Sequence, residues 1–291
     1  MSEEFSEIRV LDNFYQTSSF YPMPVVLVST INEYGSTNLG PYSLCFPYIV
    51  VTDGDKHFMM LISRSDSNTA VNITRTGVCA LNFIPNKKKY MKNCIILGHP
   101  GETTEEKMKN SIFTLRPSTR NDTPPEGLSG YPGIVEESFQ VFECTWDSSH
   151  PLKPIPASRS SHFILSIEKI VMRKKWKDRL FRGKGFPRIP VDYGYRDNIR
   201  FWFSRNSRPY SIEVPGSKAA PIETVMYACS RFDPDITWEK EACEKIVRVP
   251  NIFLKRVISG VVDAAKKEEI TVITPDFMDK VQDKRSAEKK R

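Results

Sequence analysis

Hydrophobic and polar positions change rhythm twice along this chain. Met23-Pro24-Val25-Val26-Leu27-Val28-Ser29-Thr30 is a β-branched apolar run that predicts a strand, and Asn32-Glu33-Tyr34-Gly35-Ser36 predicts the turn after it. Asn38-Leu39-Gly40-Pro41-Tyr42-Ser43 follows, where Gly and Pro let backbone approach a ligand closely. The stretch from Ser63 to Ile73 opens in hydroxyl and amide side chains and is closed by Arg75-Thr76-Gly77, the signature of a short capped helix. Residues 21–84 and 134–175 are strand-rich and together predict a barrel, with residues 1–20 packing on it as a leading segment. Between them, 85–133 is polar; Glu105-Glu106-Lys107-Met108 reads as helical and Pro117 to Pro125 as a loop. Such an excursion either covers a ligand edge or is plain surface. Beyond 175, Arg200-Phe201-Trp202-Phe203 predicts a strand and Arg205 to Pro221 a loop.

From Thr237 the spacing becomes helical. Trp238-Glu239-Lys240-Glu241-Ala242 begins a helix that ends before Pro250, and Asn251 caps a second with Val257, Ile258, Val261, Val262 and Ala265 on one face. Thr274-Pro275-Asp276 starts a third, with Thr as cap and Pro at the first helical position.

The helix near Ser67 carries candidate chemistry. Free N–H groups and the helix dipole both favour an anion there, so Ser65, Ser67, Asn68 and Thr69 as donors, with Arg64 as the charge, suit a phosphate. An ordinary capped surface helix accounts for the same residues.

Charge and cysteine content narrow the classes. The net charge is +7 over 291 residues. Residues 280–291 hold a net +4 and 173–185 a net +6, which leaves −3 for everything else. Two patches supply the basicity, which disfavours a nucleic-acid-binding surface. The patch at 173–185 interleaves cations with Trp176 and Phe181; phosphates of a nicotinamide cofactor, an acidic partner, nucleic acid or plain solvent would each suit it. The six cysteines form no CxxC pair and predict reduced, buried thiols in a cytoplasmic protein. No apolar run is long enough to span a bilayer, so no membrane association is expected, and the acidic start at Met1-Ser2-Glu3-Glu4 is unlike a signal peptide. His57, His99 and His150 make no metal-ligand spacing, so no metal is expected. GxSxG, HExxH and a post-strand GxGxxG are missing, which removes the usual support for hydrolase and Rossmann readings.

The order PxPVVLVST, NLGPYS, SNTAVNI and GVCALNFI resembles the flavin reductase-like FMN-binding split-barrel family. Gly130-Tyr131-Pro132, the strand through Glu143-Cys144, and the His-led strand Ser161-His162-Phe163-Ile164-Leu165 extend the resemblance over about residues 15–175. Residues 188–195 match the family's tyrosine-containing segment only loosely. The resemblance implies a mainly β protein with α elements: an FMN-binding split β-barrel over 1–235, with an insertion at 85–133 and a basic extension at 173–221. A small helical domain with a basic tail follows at 236–291. Its W-x-x-E-A, R-x-P-x-x-F-x-K-R and I-T-x-I-T pieces resemble the small C-terminal domain of the light-independent protochlorophyllide reductase B subunit, which implies a docking or lid module.

The same resemblance makes the Ser67 helix an FMN phosphate site. Ser29 and Thr30 with Asn38, Gly40, Tyr42 and Ser43 become an isoalloxazine cradle, where N–H and O–H groups stabilise charge gathered on a reduced ring. A strand with a tight turn is the plain alternative. Asn72 either joins that site or hydrogen-bonds within the barrel. His162 corresponds to the histidine beside flavin and nicotinamide, although a His opening an apolar strand is as often structural. The implied function is an NAD(P)H-dependent, flavin reductase-like oxidoreductase. It would be a homodimer that takes electrons from NADH or NADPH and passes them to flavin, a metal centre or a redox partner protein. The alternative is a non-catalytic flavin-binding electron carrier or assembly partner of a redox complex.

Overall fold

Val26 to Ile31 is buried at every position, which explains why this strand reads as one apolar run rather than an alternation. The computed structural model describes residues 5–50, 56–99, 101–150, 152, 158–182, 185–195, 199–204, 209, 210, 212, 222–233 and 235–288. The expected loop at 205–221 and the end of the basic tail lie largely outside these. In chain order the elements begin α1 (Phe14–Thr17), β1 (Met23–Pro24), β2 (Val26–Ile31), β3 (Thr37–Tyr42), β4 (Cys45–Ile49), β5 (Phe58–Arg64) and α2 (Asn68–Thr76). Next come β6 (Val78–Phe83), α3 (Lys88–Leu97), α4 (Thr104–Lys109), β7 (Leu115–Arg116), β8 (Ile134–Val135), β9 (Gln140–Trp146) and β10 (Ser160–Met172). The rest are α5 (Lys174–Arg182), β11 (Val191–Tyr195), β12 (Phe201–Phe203), α6 (Ile222–Ser230), β13 (Thr237–Trp238), α7 (Lys240–Glu244), α8 (Asn251–Lys267), β14 (Val272–Ile273) and α9 (Pro275–Glu288).

Packing divides the chain into two units, Met1–Arg173 with Pro187–Arg208, and Lys174–Phe186 with Pro209–Arg291. The first is built on a curled seven-stranded sheet in the order β3-β2-β6-β9-β10-β5-β4. Every neighbouring pair is antiparallel. Long β10 makes the curl. Its first half pairs with β5 and its second with β9, and the register shifts between Ile167 and Lys169. Val26, Val28, Leu61, Leu81, Phe163 and Leu165 fill the concave side, where Ala70 and Ile73 of α2 pack against them. The other face of β2 and β3 meets α3: Leu27 and Leu39 pack with Tyr90, Met91, Cys94 and Leu97. Full burial of each such large side chain contributes roughly 1.5–3 kcal/mol. A second sheet, β1-β11-β12, brings Asp192 into this unit.

Helix α4 is where the sequence places it, closed by a capping box between Thr103 and Glu106. Helix α3 is not apparent from the sequence: Lys87 makes no side-chain cap, and lysines fill its first turn against the dipole. Packing of its apolar face holds it.

The second unit has its own core, in which Val225 and Cys229 of α6 join Cys243, Ile258, Val261 and Ile273. The boundary read from sequence at 235/236 therefore falls inside one apolar cluster. Ile258, Val261, Val262 and Ala265 are buried as their spacing predicts, and Thr274 Oγ1 accepts from the Phe277 N–H at 3.2 Å as the cap of α9. Two expectations are corrected. Trp238 pairs in parallel with Ile273 and is strand, so the helix starts at Lys240; Pro250 is the cap of α8 and Asn251 its first residue. The basic run forms α5, none of whose residues is buried, with the Arg179 guanidinium 4.9 Å from the Trp176 ring. Among the described residues no helix is long and apolar enough to cross a membrane.

Candidate functional site

Helix α2 begins as its sequence dictates. Ser67 has extended backbone and its Oγ accepts from the Ala70 N–H at 3.1 Å, while its carbonyl accepts from Val71 at 3.0 Å. The N–H groups of Asn68 and Thr69 find no partner among the described residues. Arg75 and left-handed Gly77, φ 69°, close the other end. The two open donors point the positive end of the helix at a cavity of about 400 Å³. Gly40, Tyr42, Arg64, Ser67, Asn68 and Thr69 line this basin from β3, β5 and α2; Glu102 and Lys107 line it from the insertion.

Strand β3 lies so close to α2 that only glycine fits at position 40. A Cβ there would stand 2.6 Å from Thr69 Oγ1 and 2.9 Å from the Tyr42 ring. Tyr42 OH, Ser63 Oγ and Ser67 Oγ form a hydroxyl cluster at the helix start, with separations of 2.8, 2.7 and 3.3 Å. The charges are mixed. Arg64 is exposed and donates to Asp66 at 3.0 Å, a pair that solvent weakens. Desolvation lowers the pKa of Lys107, while Glu102 opposes that shift. Glu102 Oε2 is buried with no hydrogen-bond partner among the described residues. The basin thus offers N–H groups and cations to an anion, and one orphaned acceptor to a hydroxyl.

A second cavity, about 370 Å³, adjoins the basin through Pro41, Tyr42, Gly98 and His99. Its walls are apolar, from Val25, Ile95, Phe201 and Phe203. Its polar lining residues are Gln16, Tyr42, Ser43, His99 and Asp192. Asp192 is 3% exposed. Burial pushes its carboxyl up to about 6, opposed by hydrogen bonds from Ser43, Gln16 and the Gly194 main chain. Gln16 Nε2 donates to Asp192 Oδ1 at 3.2 Å, and its side chain lies where a Cβ on Gly194, φ 72°, would stand. Burial also pushes the neighbouring Cys94 thiol up to about 12, so it is no thiolate nucleophile.

The structure separates the residues singled out from sequence into three groups. Gly40, Tyr42, Arg64, Ser67, Asn68 and Thr69 share the basin, and Ser43 lies in the cleft. Ser29, Thr30, Asn38 and Asn72 are buried and bonded within the sheet and α2. Asn82 Nδ2 donates to Ser29 Oγ at 2.7 Å, and Asn72 and Asn38 donate to Thr30 Oγ1 at 3.1 and 3.4 Å. Ser65 is exposed and bonded to Ser161 at 3.0 Å. His162 is exposed opposite Ile62, on the sheet face away from Phe163 and the basin. Ser63, Glu102, Lys107 and Asp192 were not anticipated. Ser63 had a signal, as the inward strand position just before a capped helix; the others reach the cavities only through long-range packing.

No protein-family model matches the sequence, and no curated protein does. Solved structures do match. Nitrilotriacetate monooxygenase component B from Bacillus cereus is similar at 15% identity and TM-score 0.51, covering 72% of this chain and 100% of that one. Flavoredoxin from Methanosarcina acetivorans is similar at 17% identity and TM-score 0.49, covering 72% and 97%. At these identities the likeness is one of architecture. The chain has a split-barrel fold.

Proposed function

We propose that this chain binds FMN and works as an FMN-dependent oxidoreductase that takes electrons from NADH or NADPH and passes them to an acceptor. The observation that carries the reading is the start of α2: two open N–H groups beside Arg64 and Lys107, at the mouth of a basin continuous with an apolar cleft. The residues fit the group in kind. Phosphate suits the N–H groups, Thr69 and the cations; ribityl hydroxyls suit the orphaned Glu102 oxygen; the flat ring suits the cleft beside Pro41 and Tyr42. Bound FMN would supply the two-electron chemistry, and the chain's part is to grip, orient and shield it.

The test is direct. Purified protein reconstituted with FMN should be yellow and should bleach when NADH or NADPH is added without oxygen. A yellow protein that bleaches only with dithionite would be a carrier, and one that ignores FMN would end the reading.

A homodimer is part of the proposal. β4 is an end strand of the seven-stranded sheet and exposes Phe46 and Tyr48, with Pro47 between them interrupting the edge donors. Phe46 pairs with Met60, which pairs with Ile164, so Phe46 shares its sheet face with His162. A second copy covering this face would bury those rings and enclose the histidine. Light scattering should give twice the chain mass, and Phe46→Lys should halve it.

A further inference from the structure

We propose that the apolar arm at residues 5–14 seats on the β4 face of a second copy of this chain, each copy embracing the other, and that this grip fixes one wall of the cofactor cleft. The inference rests on the cofactor and homodimer readings above. It adds to them the segment that joins the copies and its coupling to the site. Phe5, Ile8, Val10, Leu11 and Phe14 are all exposed, Ile8 at 71% and Val10 at 76%. Residues 5–10 have no regular secondary structure and enter no hydrogen bond among the described residues, and α1 buries none of its residues. An apolar segment that its own unit neither covers nor bonds is an interaction surface.

Position, reach and area all favour a second copy as the occupant. Gln16 of α1 and Ser43 both hydrogen-bond the Asp192 carboxyl, which sets α1 beside the start of β4. The arm thus leaves its unit next to the strand whose Phe46 and Tyr48, with Val50 just beyond, are exposed as well. Stretched out, residues 5–11 reach roughly 20–25 Å, more than the roughly 17 Å length of β4. The arm's two phenylalanines and three aliphatic side chains offer on the order of 600 Å², and the β4 side chains bring the sum to about the 800 Å² per partner of a standard interface. Pro47 breaks the row of edge donors, so side chains make the contact and no strand is added. A two-fold axis lets each copy give one arm and receive one, which closes the assembly at two. The same segment carries Gln16, which lines the cleft and holds the Asp192 carboxyl. Pinning the arm on a partner pins that wall, and by linkage a flavin in the cleft tightens the pair.

The test pairs light scattering with flavin titration on the full chain. Ile8→Glu with Val10→Glu puts charges at two exposed positions, so the folding of a single copy does not depend on them and the far-ultraviolet spectrum should be unchanged. At micromolar concentration wild type should have twice the chain mass and the double variant the single mass. Ile8→Leu with Val10→Ile should keep the doubled mass. FMN and riboflavin should both bind the Glu variant about three- to tenfold more weakly, because the cleft wall has loosened and the phosphate site has not. Wild-type FMN affinity should rise with protein concentration. A Glu variant that remains a dimer overturns the arm's role and leaves the β4 pairing and the FMN reading standing. A monomeric variant that binds both flavins as tightly as wild type overturns the coupling. A wild type that is monomeric with and without FMN ends the homodimer reading and this inference together, and an assembly larger than two overturns the reciprocal arrangement. If wild type binds neither flavin, the FMN reading and the coupling fall, and the masses alone decide the arm.

Discussion

Two clusters of hydroxyls and amides sit within a few residues of each other in sequence and behave oppositely. In the sheet and on the buried side of α2, Ser29, Thr30, Asn38, Asn82 and Asn72 are buried and bonded to one another or to main chain. At the start of α2, Thr69 and the N–H groups of Asn68 and Thr69 face a cavity. Residue type does not separate the two sets; whether hydrogen-bonding capacity is already engaged does. An engaged set rigidifies the barrel, whereas an open set keeps its hydrogen-bonding capacity available.

The contrast breaks most visibly at Asn82. Its Nδ2 donates to Leu27 O at 3.0 Å and to Ser29 Oγ, and its Oδ1 accepts from the Val135 N–H at 2.8 Å. Asn82→Ala would leave several buried groups without partners, at about 1–3 kcal/mol each. Urea denaturation should show a loss of about 3–5 kcal/mol, the largest effect expected of any single change here. Asn68→Ala at the basin should cost less than about 1 kcal/mol, because it ends one bond, to Glu102 O at 3.0 Å, in a partly exposed place. Equal losses would remove the distinction.

Asp192 sharpens the comparison from the charged side. Its folded pKa, about 6, lies above its ordinary carboxylate value of 3.8, so the favourable contribution is complete below about pH 4 and is lost as pH rises through 6. Asp192→Asn should match wild type at pH 4 and exceed it at pH 8 by up to about 3 kcal/mol. Chemical denaturation at the two pH values decides this, without any flavin.

Legibility in the sequence follows the range of the interactions. The α2 cap at Ser67, its stop at Gly77 and the Thr274-Pro275 start of α9 were readable because cap and helix are within four residues. Helix α3 was not, since its start opposes every local rule and only packing under β2 and β3 justifies it. Trp238 reads as helix in the sequence because its partner strand lies 35 residues on, at Ile273. Ser29 and Thr30 look alike in sequence to the basin-lining residues because Asn82 and Asn72, whose side chains reach them, come from other elements.

Gly40→Ala tests how tightly the open cluster is shaped. The new methyl would force Thr69 Oγ1 or the Tyr42 ring to move, at about 1–3 kcal/mol of stability. FMN affinity should fall with it, while the buried cluster, measured by amide exchange at Ser29 and Thr30, stays protected. Ser67→Ala with Thr69→Ala should weaken FMN roughly fivefold to a hundredfold, at about 0.5–1.5 kcal/mol per lost bond, and leave riboflavin almost unchanged. Equal weakening of both flavins would remove the phosphate assignment.

The smallest expected effect isolates Arg64. Its partner Asp66 is exposed, and the hydrogen bond from Arg64 holds the Asp66 carboxyl below its usual pKa. An exposed pair of this kind contributes little to folding, and salt screens it further. Asp66→Asn should therefore leave the melting temperature where it is. It would also release the guanidinium from its competitor at the mouth of the basin. FMN binding should tighten about two- to fivefold in low salt, lose that gain in 0.5 M salt, and show no such change for riboflavin. Should riboflavin tighten as well, the gain would come from basin shape rather than from a cation meeting a phosphate, and Arg64 would leave the site.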